Sequence, residues 1–377
     1  MIKNEKIWLS SPHISTNEQE YVNEAFKSNW IAPVGPHIDS FEKNLSEISN
    51  NYHVAALNSG TAAIHLALLV LGVKRNDNVI CSSFTFAAST NPIIYVGAQP
   101  VLIDSEKETW NMCPVLLENA IIELSSINKK PKAIILVHLY GYPAKLTEII
   151  AISKKYKIPI IEDAAEAIGS KFNNKPLGTF GDLGIFSFNG NKIITTSSGG
   201  ALISKNIDFI KKAKFLATQA REDYPHYEHK EIGYNYRMSN VCAAIGLGQL
   251  EVLEKRVKKR RYIYEYYKSK LSDIKQIKFF EELPGYYSNR WLTTILFDKE
   301  AIINRETVRL SLLKENIESR PLWKPMHLQP LFKNCKVFDN GVSEDLFCRG
   351  LCLPSGSNMN DINLDRVIDN IKTLYES

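Results

Sequence analysis

The sequence has no apolar run that reaches the roughly 18 to 20 residues a membrane-spanning helix requires. Its opening stretch, MIKNEKIWLSSPH, lacks the apolar core of a secretory signal, so the cytoplasm is the expected setting. Cysteine is sparse. The six residues (Cys81, Cys113, Cys242, Cys335, Cys348 and Cys352) form no CxxC pair. Cys348 and Cys352 lie four apart, but no matching Cys/His pair completes a zinc set, so neither a metal site nor a disulfide framework is expected. A strong charge of either sign is also missing. The net charge is +5, and the densest basic stretch, EKRVKKRRYIYEYYKSK, interleaves glutamates at helical spacing. That reads as a solvated helix face, not a nucleic-acid surface. Anionic small substrates remain compatible with this charge.

What is present suits a globular chain. Of 377 residues, 44% are hydrophobic and 23% charged, enough for one large domain and a smaller one. A first helix is expected from STNEQEYVNEAFKSN, where Thr16 and Gln19 have capping-box spacing and Tyr21, Val22, Ala25 and Phe26 share a face. Short apolar runs then alternate with helical stretches. VAALN (54–58) precedes a helix over about 61–71, and NVICSS precedes one over about 86–95. PVLID, KAIILVHL and IPIIEDA follow, the last two separated by AKLTEIIAISKKYK. Apolar strands spaced by helices imply an α/β fold with a mostly parallel sheet covered on both faces. Ligands gather at the carboxyl ends of such strands. From about residue 246 the pattern changes to one long charged helix, GQLEVLEKRVKKRRYIYEYYKSKL, and then to mixed strands and helices. The expected division is a large domain over 1–245 and a smaller C-terminal α+β domain over 246–377.

Four features fall at expected strand ends. In LNSGTAAIHLAL, Gly60 allows close backbone approach, and helix N–H groups with the hydroxyls of Ser59 and Thr61 could hold a phosphate; the plainer reading is an ordinary N-cap. In IIEDAAEAIGS, Asp163 ends an apolar strand, where a carboxylate needs a cationic partner. A protonated pyridine nitrogen would serve; a second N-cap is the alternative. In GIFSFNGNKIITTSSGG, Lys192 follows an apolar strand, and Gly190, Gly199 and Gly200 let backbone pack around a ligand. A lysine shielded from water can form an imine with an aldehyde, whereas a lone surface lysine would mean nothing. In CSSFTFAASTNP, Phe86 could stack on a flat ring or simply pack in the core. Each signal is weak alone. In this order they describe one cofactor, pyridoxal 5'-phosphate.

The stretches NSGTAAIHLAL, SSFTFAAS, EDAAEAIGS, GTFGDLGIFSFNGNKIITTSSGG and GYNYRMSNVCAAIGLGQL resemble the DegT family of sugar-nucleotide aminotransferases, in order, from about residue 7 to residue 356. The resemblance implies the fold-type I aminotransferase architecture, a homodimer with shared active sites, and transfer of an amino group from L-glutamate to a keto sugar on a nucleotide. Lys192 is then the lysine that bonds the cofactor and shuttles a proton, and Asp163 the partner of the pyridine nitrogen. Phe86 stacks on the ring, while Gly60, Thr61 and Ser187 hold the phosphate. Asn235 is expected to reach the phosphate from the neighbouring subunit, with Arg237 of the same motif in a supporting role. Glu166, near the cofactor's phenolic oxygen, stands where many members carry glutamine, and SSGG stands where many read GEGG.

The narrower wording NGNKIITTS resembles enzymes that aminate C4 of UDP-4-keto-6-deoxy-N-acetylglucosamine on the route to diacetylated bacillosamine. SNWIAPVGPHIDSFE, YEHKEIGYNYRMSN, SNRWL and ESRPLWKPMH strengthen that likeness. SNRWL offers Arg290, and ESRPLWKPMH offers Arg320, Trp323, Lys324 and His327 to a nucleotide diphosphate, for which forked arginine donors are suited. The alternative is that Arg290 and Arg320 form structural ion pairs at the domain junction. The rival substrate is GDP-4-keto-6-deoxymannose, giving perosamine. A binding protein that keeps the fold without turnover is the rival from another class; the presence of Lys192 and Asp163 argues against it.

Overall fold

The computed structural model describes residues 5–376. Its largest element is an eight-stranded sheet. The strands run across it as His53–Leu57, Gly200–Ser204, Leu183–Ser187, Ile160–Asp163, Ala133–Val137, Asn78–Ser82, Gln99–Ile103 and Lys336–Phe338. Gly200–Ser204 is antiparallel to both neighbours, and every other adjacent pair is parallel. The central strand, AIILV, is buried along its whole length. Its side chains divide with period two: Ile134 and Leu136 enter one apolar cluster, Ala133 and Ile135 the other. A strand of uniformly apolar residues is thus what a sheet covered on both faces demands.

The helices expected at 61–71 and 86–95 are Gly60–Val70 and Ala87–Tyr95. The first helix is Asn17–Lys27, but its cap differs from the expected one. Thr16 makes no capping bond. Instead the Glu18 carboxylate accepts the backbone N–H of Ser15 at 2.9 Å and its hydroxyl at 2.6 Å. Glu18 is buried and also accepts from Gln249, so tertiary burial selects Ser15–Glu18 over the competing spacing of Thr16 and Gln19. The helix lies close against Gly248, where an added Cβ would come within 2.7 Å of Glu18 N. On the same helix Ala25 is buried and Phe26 is 61% exposed, contrary to the shared face expected for the two.

The long charged helix is two helices, Asn240–Glu251 and Leu253–Lys270, broken at Val252. The break lets the first pack on Asn17–Lys27 and Pro36–Ile48 while the second packs on Asp361–Glu376. A four-stranded antiparallel sheet follows, ordered Ile277–Phe279, Thr293–Phe297, Gly350–Leu353, Arg320–Pro321. Its own core includes Ile263, Ile295, Leu312, Leu351 and Leu364. We propose a division between the two units near residue 246; across it, Lys336–Phe338 returns to pair with Gln99–Ile103. Among the described residues, no helix is long and apolar enough to cross a membrane.

Candidate active site

Four strand ends meet around a cavity of about 260 Å³. His53–Leu57 leads to Ser59, which caps Gly60–Val70 by accepting the N–H of Ala62 at 3.0 Å. Ser187 closes Leu183–Ser187 opposite Gly60; a Cβ on Gly60 would lie 3.2 Å from the Ser187 Cβ. A Cβ on Gly200 would lie 2.3 Å from the Ser59 carbonyl carbon, so only bare backbone fits there. Asn78–Ser82 leads to Phe86, half exposed, with its ring centroid 5.3 Å from that of Trp323.

Asp163 ends its strand buried on the cavity wall. Its oxygens accept the Ser89 hydroxyl at 2.6 Å and the Ala165 N–H at 3.2 Å. Among the described residues no cationic side chain pairs with it. Lys192 lies in the loop after Leu183–Ser187, its backbone turned by a bond from its N–H to the Asn189 carbonyl. Its Nζ is 3.4 Å from Glu166 Oε1 and 4.0 Å from the centroid of the Trp291 ring. The second oxygen of Glu166 accepts the Tyr140 N–H at 2.7 Å. Tyr140 has a left-handed backbone, φ 53, which costs a side-chain-bearing residue about 1 kcal/mol or more. That conformation aims its N–H at Glu166, while its hydroxyl accepts the Trp323 N–H at 2.9 Å. Burial pushes the Glu166 carboxyl above its ordinary range, and the nearby Lys192 charge only partly opposes this.

Ser59, Gly60, Thr61, Phe86, Asp163, Glu166, Ser187, Lys192 and Trp323 therefore border one cavity. Gly199 borders it too, while the residues expected to meet the substrate or the partner's site lie elsewhere, apart from Trp323. Arg320 borders an adjoining space of about 420 Å³ that shares Asn191, Trp291 and Trp323 with the first, and it pairs with Glu318 at 2.9 Å. Arg290 is buried, donating to the Phe280 carbonyl at 2.7 Å beside Glu282. His327 bonds through Nδ1 to Ser83 at 2.6 Å. Lys324 is exposed. Asn235 is exposed and outside its own chain's cavity; its carbonyl accepts from the Asn58 side chain at 3.2 Å. Arg237 is tied to Glu42 at 3.0 Å.

Three contributors were missed in the sequence. Trp291 walls the cavity where its neighbour Arg290 drew attention. Ser89 stands one helical turn past Phe86. Behind Asp163, the buried Glu162 accepts His138 Nε2–H at 2.9 Å and the Gly178 N–H at 3.0 Å. His138 Nδ1 accepts the Ala144 N–H at 3.2 Å, so the ring N–H that meets Glu162 is on Nε2.

This donor set fits pyridoxal phosphate. A bare-backbone cradle at a helix N-terminus, flanked by hydroxyls, suits a phosphate. A buried carboxylate with no cation suits a pyridinium. A mostly buried amine suits an aldehyde, and an exposed aromatic at the rim suits a flat ring.

Comparison with known proteins agrees. The DegT/DnrJ/EryC1/StrS aminotransferase family matches residues 12–372. EpsN of Bacillus subtilis (strain 168), which carries a provisional assignment as a pyridoxal phosphate-dependent aminotransferase, is 52% identical over 99% of this chain and 96% of its own. GDP-perosamine synthase of Escherichia coli O157:H7 is 37% identical over 97% of each chain. The crystal structure of a DegT DnrJ EryC1 StrS aminotransferase from Brucella abortus superposes with a TM-score of 0.89, at 30% identity and 96% coverage of both. The chain belongs to the DegT/DnrJ/EryC1/StrS aminotransferase family, and it is a sugar-nucleotide aminotransferase that uses pyridoxal phosphate.

Proposed function

We propose that the chain moves an amino group from L-glutamate to the C4 keto carbon of a nucleotide-linked 4-keto-6-deoxy sugar. The favoured acceptor is UDP-2-acetamido-2,6-dideoxy-4-ketohexose, in bacterial glycan biosynthesis or protein glycosylation of the diacetylbacillosamine type. The observation that carries the reading is the pairing of two spaces. The cavity holding Lys192 and Asp163 adjoins a second one bordered by Arg320 and shares Trp291 and Trp323 with it. The first would take the cofactor ring and the amino donor, and the second the sugar nucleotide. Bound pyridoxal phosphate supplies the aldehyde that takes up the amino group and the electron-withdrawing ring. Lys192 would hold it and carry a proton at Nζ, with Glu166 within 3.4 Å. Asp163 would keep the ring nitrogen protonated. Ser59, Gly60, Thr61 and Ser187 would hold the phosphate, and Phe86 would cover the ring.

A homodimer belongs to the same proposal. Asn235 is exposed and does not line its own chain's cavity; it would complete the partner's phosphate site. Exposed Trp30, Ile31, Val34, Tyr227 and Ile232 give apolar surface for a second copy to cover. The mild basic charge suits an anionic substrate, and the cytoplasm, where a free sugar nucleotide is at hand, is the proposed setting.

The 37% identity to a GDP-perosamine synthase favours one other acceptor, a GDP-linked keto sugar. An amino-transfer assay over UDP- and GDP-linked 4-keto sugars decides between them. Preferred turnover of the UDP sugar supports the proposal. Preferred turnover of the GDP sugar replaces it, and no transfer to any keto sugar nucleotide ends both.

A further inference from the structure

Arg260, on the helix Leu253–Lys270, is 1% exposed. Among the described residues it has no carboxylate partner. Burial, with Arg256 one turn away, brings its guanidinium down to about 9. A buried cation without a counter-charge is costly and endures only where its donors are used. Through Nη1 and Nη2, Arg260 reaches three segments far apart in the chain. It donates to the Trp291 carbonyl, to Ser10 Oγ at 2.9 Å and to the Lys192 carbonyl at 3.4 Å.

Those acceptors are joined to one another. The Ser10 hydroxyl donates to the Asn191 carbonyl at 2.6 Å. The same carbonyl accepts the Trp291 indole N–H at 2.7 Å. One guanidinium therefore closes a ring of bonds through Ser10, Asn191 and Trp291. Both faces of the result concern Lys192: its backbone is held at the carbonyl, and its amine lies against the indole that the ring of bonds fixes, 4.0 Å from the centroid. A planar fork reaches several acceptors at once where an ammonium cannot.

We propose that Arg260 is a positioning residue for amino transfer, clamping Trp291 and the Lys192 backbone so that the Lys192 amine has one direction into the cavity. The inference rests on Lys192 as the amine that meets the cofactor. Lys192→Ala tests that separately, because loss of cofactor attachment there does not involve Arg260.

The test compares Arg260→Met and Arg260→Lys with the unaltered protein. Amide hydrogen exchange is followed in the cofactor-free protein, and the pH titration of the bound cofactor's visible absorbance in the loaded one. Arg260→Met should speed exchange over residues 188–196 and 289–293 and displace the absorbance midpoint. It should lower kcat on the order of 10- to 100-fold, as misplacement of a reacting group does, with the sugar-nucleotide KM nearly unchanged. Arg260→Lys should recover part of the exchange protection. If Arg260→Met does not fold, Ser10→Ala, which removes two bonds of the same ring, should show the same changes in smaller measure. A lower Tm, with the exchange of the lysine loop and the absorbance midpoint as in the unaltered protein, would reduce Arg260 to a structural bolt. Unchanged values in Ser10→Ala would overturn the clamp likewise.

Discussion

Ser89 gives its hydroxyl hydrogen to Asp163 at 2.6 Å, and Thr85 closes the chain with a 2.7 Å bond to Ser89. A hydroxyl has one hydrogen. With Ser89 committed to the carboxylate, Thr85 must be the donor in the second bond, so the chain of hydrogens runs toward Asp163. Such a chain fixes the orientation of the carboxylate.

Ser89→Ala removes the donor from a buried carboxylate oxygen, a loss worth about 1–3 kcal/mol if no water replaces it. Turnover should fall on the order of ten-fold through misplacement of Asp163, while the cofactor stays bound. Asp163→Asn should fall further, because an amide cannot hold a pyridinium by charge. Steady-state kinetics of the two variants checks the order. An Asp163→Asn protein as fast as the unaltered one would leave Asp163 a helix cap only.

The strand ends were legible because each apolar run stops at a small, hydroxyl-bearing or charged residue where the main-chain path turns. Gly60 and Asp163 could be placed on that ground, whereas Lys192, in the loop beyond Ser187, took its meaning from the four features read together. What could not be read was decided between segments distant in sequence. Ser15–Glu18 and Thr16–Gln19 both fit capping spacing, and burial of Glu18 against Gln249 chose between them. Arg290 and Trp291 are adjacent, and only the fold shows that the arginine turns to Phe280 and Glu282 while the indole faces Lys192. Nothing local to Val252 marks it as a break; the break serves two different packing partners.

Glu166 carries a pH dependence of definite sign. Its folded-state pKa is raised above the ordinary 4.5, chiefly by burial. The unfolded chain therefore releases this proton at lower pH than the folded one does. The protonated form favours folding, and that contribution is full below about 4.5 and lost as pH rises through the raised value. Glu166→Gln mimics the protonated form at every pH. In the cofactor-free protein its Tm advantage over the unaltered chain should be absent at low pH, grow as pH rises, and then level off. A constant difference across that range would show that the carboxyl does not titrate there.

Arg290 and Arg320 should separate cleanly. Arg290→Ala removes a bond to the Phe280 carbonyl and a charge beside Glu282, so stability should fall by roughly 1.5–3 kcal/mol, with KM values of the folded fraction little changed. Arg320 is exposed and its pair with Glu318 is at the surface, where such pairs contribute about 0–1 kcal/mol. Arg320→Ala should leave Tm alone, raise the KM for the sugar nucleotide, and spare the glutamate half-reaction, since glutamate has no diphosphate to lose contact with. Equal damage to both half-reactions would move Arg320 out of the substrate site. Denaturant melts and half-reaction kinetics on the two proteins supply both readings.

The position of Asn235 yields the last test. It is exposed, held through its own carbonyl by Asn58, and absent from the cavity that holds Lys192 on the same chain. If it completes the site of a second copy, then a protein lacking Asn235 and a protein lacking Lys192 are damaged in opposite halves of each composite site. Asn235→Ala and Lys192→Ala proteins should each be impaired alone, Lys192→Ala completely. After subunit exchange, a mixed dimer holds one site with both defects and one with neither. Random mixing of equal amounts makes half of the dimers mixed, so activity should recover to roughly a quarter of the unaltered level, one intact site in every four. Absence of recovery, with exchange verified by mass, would place both residues in a site built from one chain.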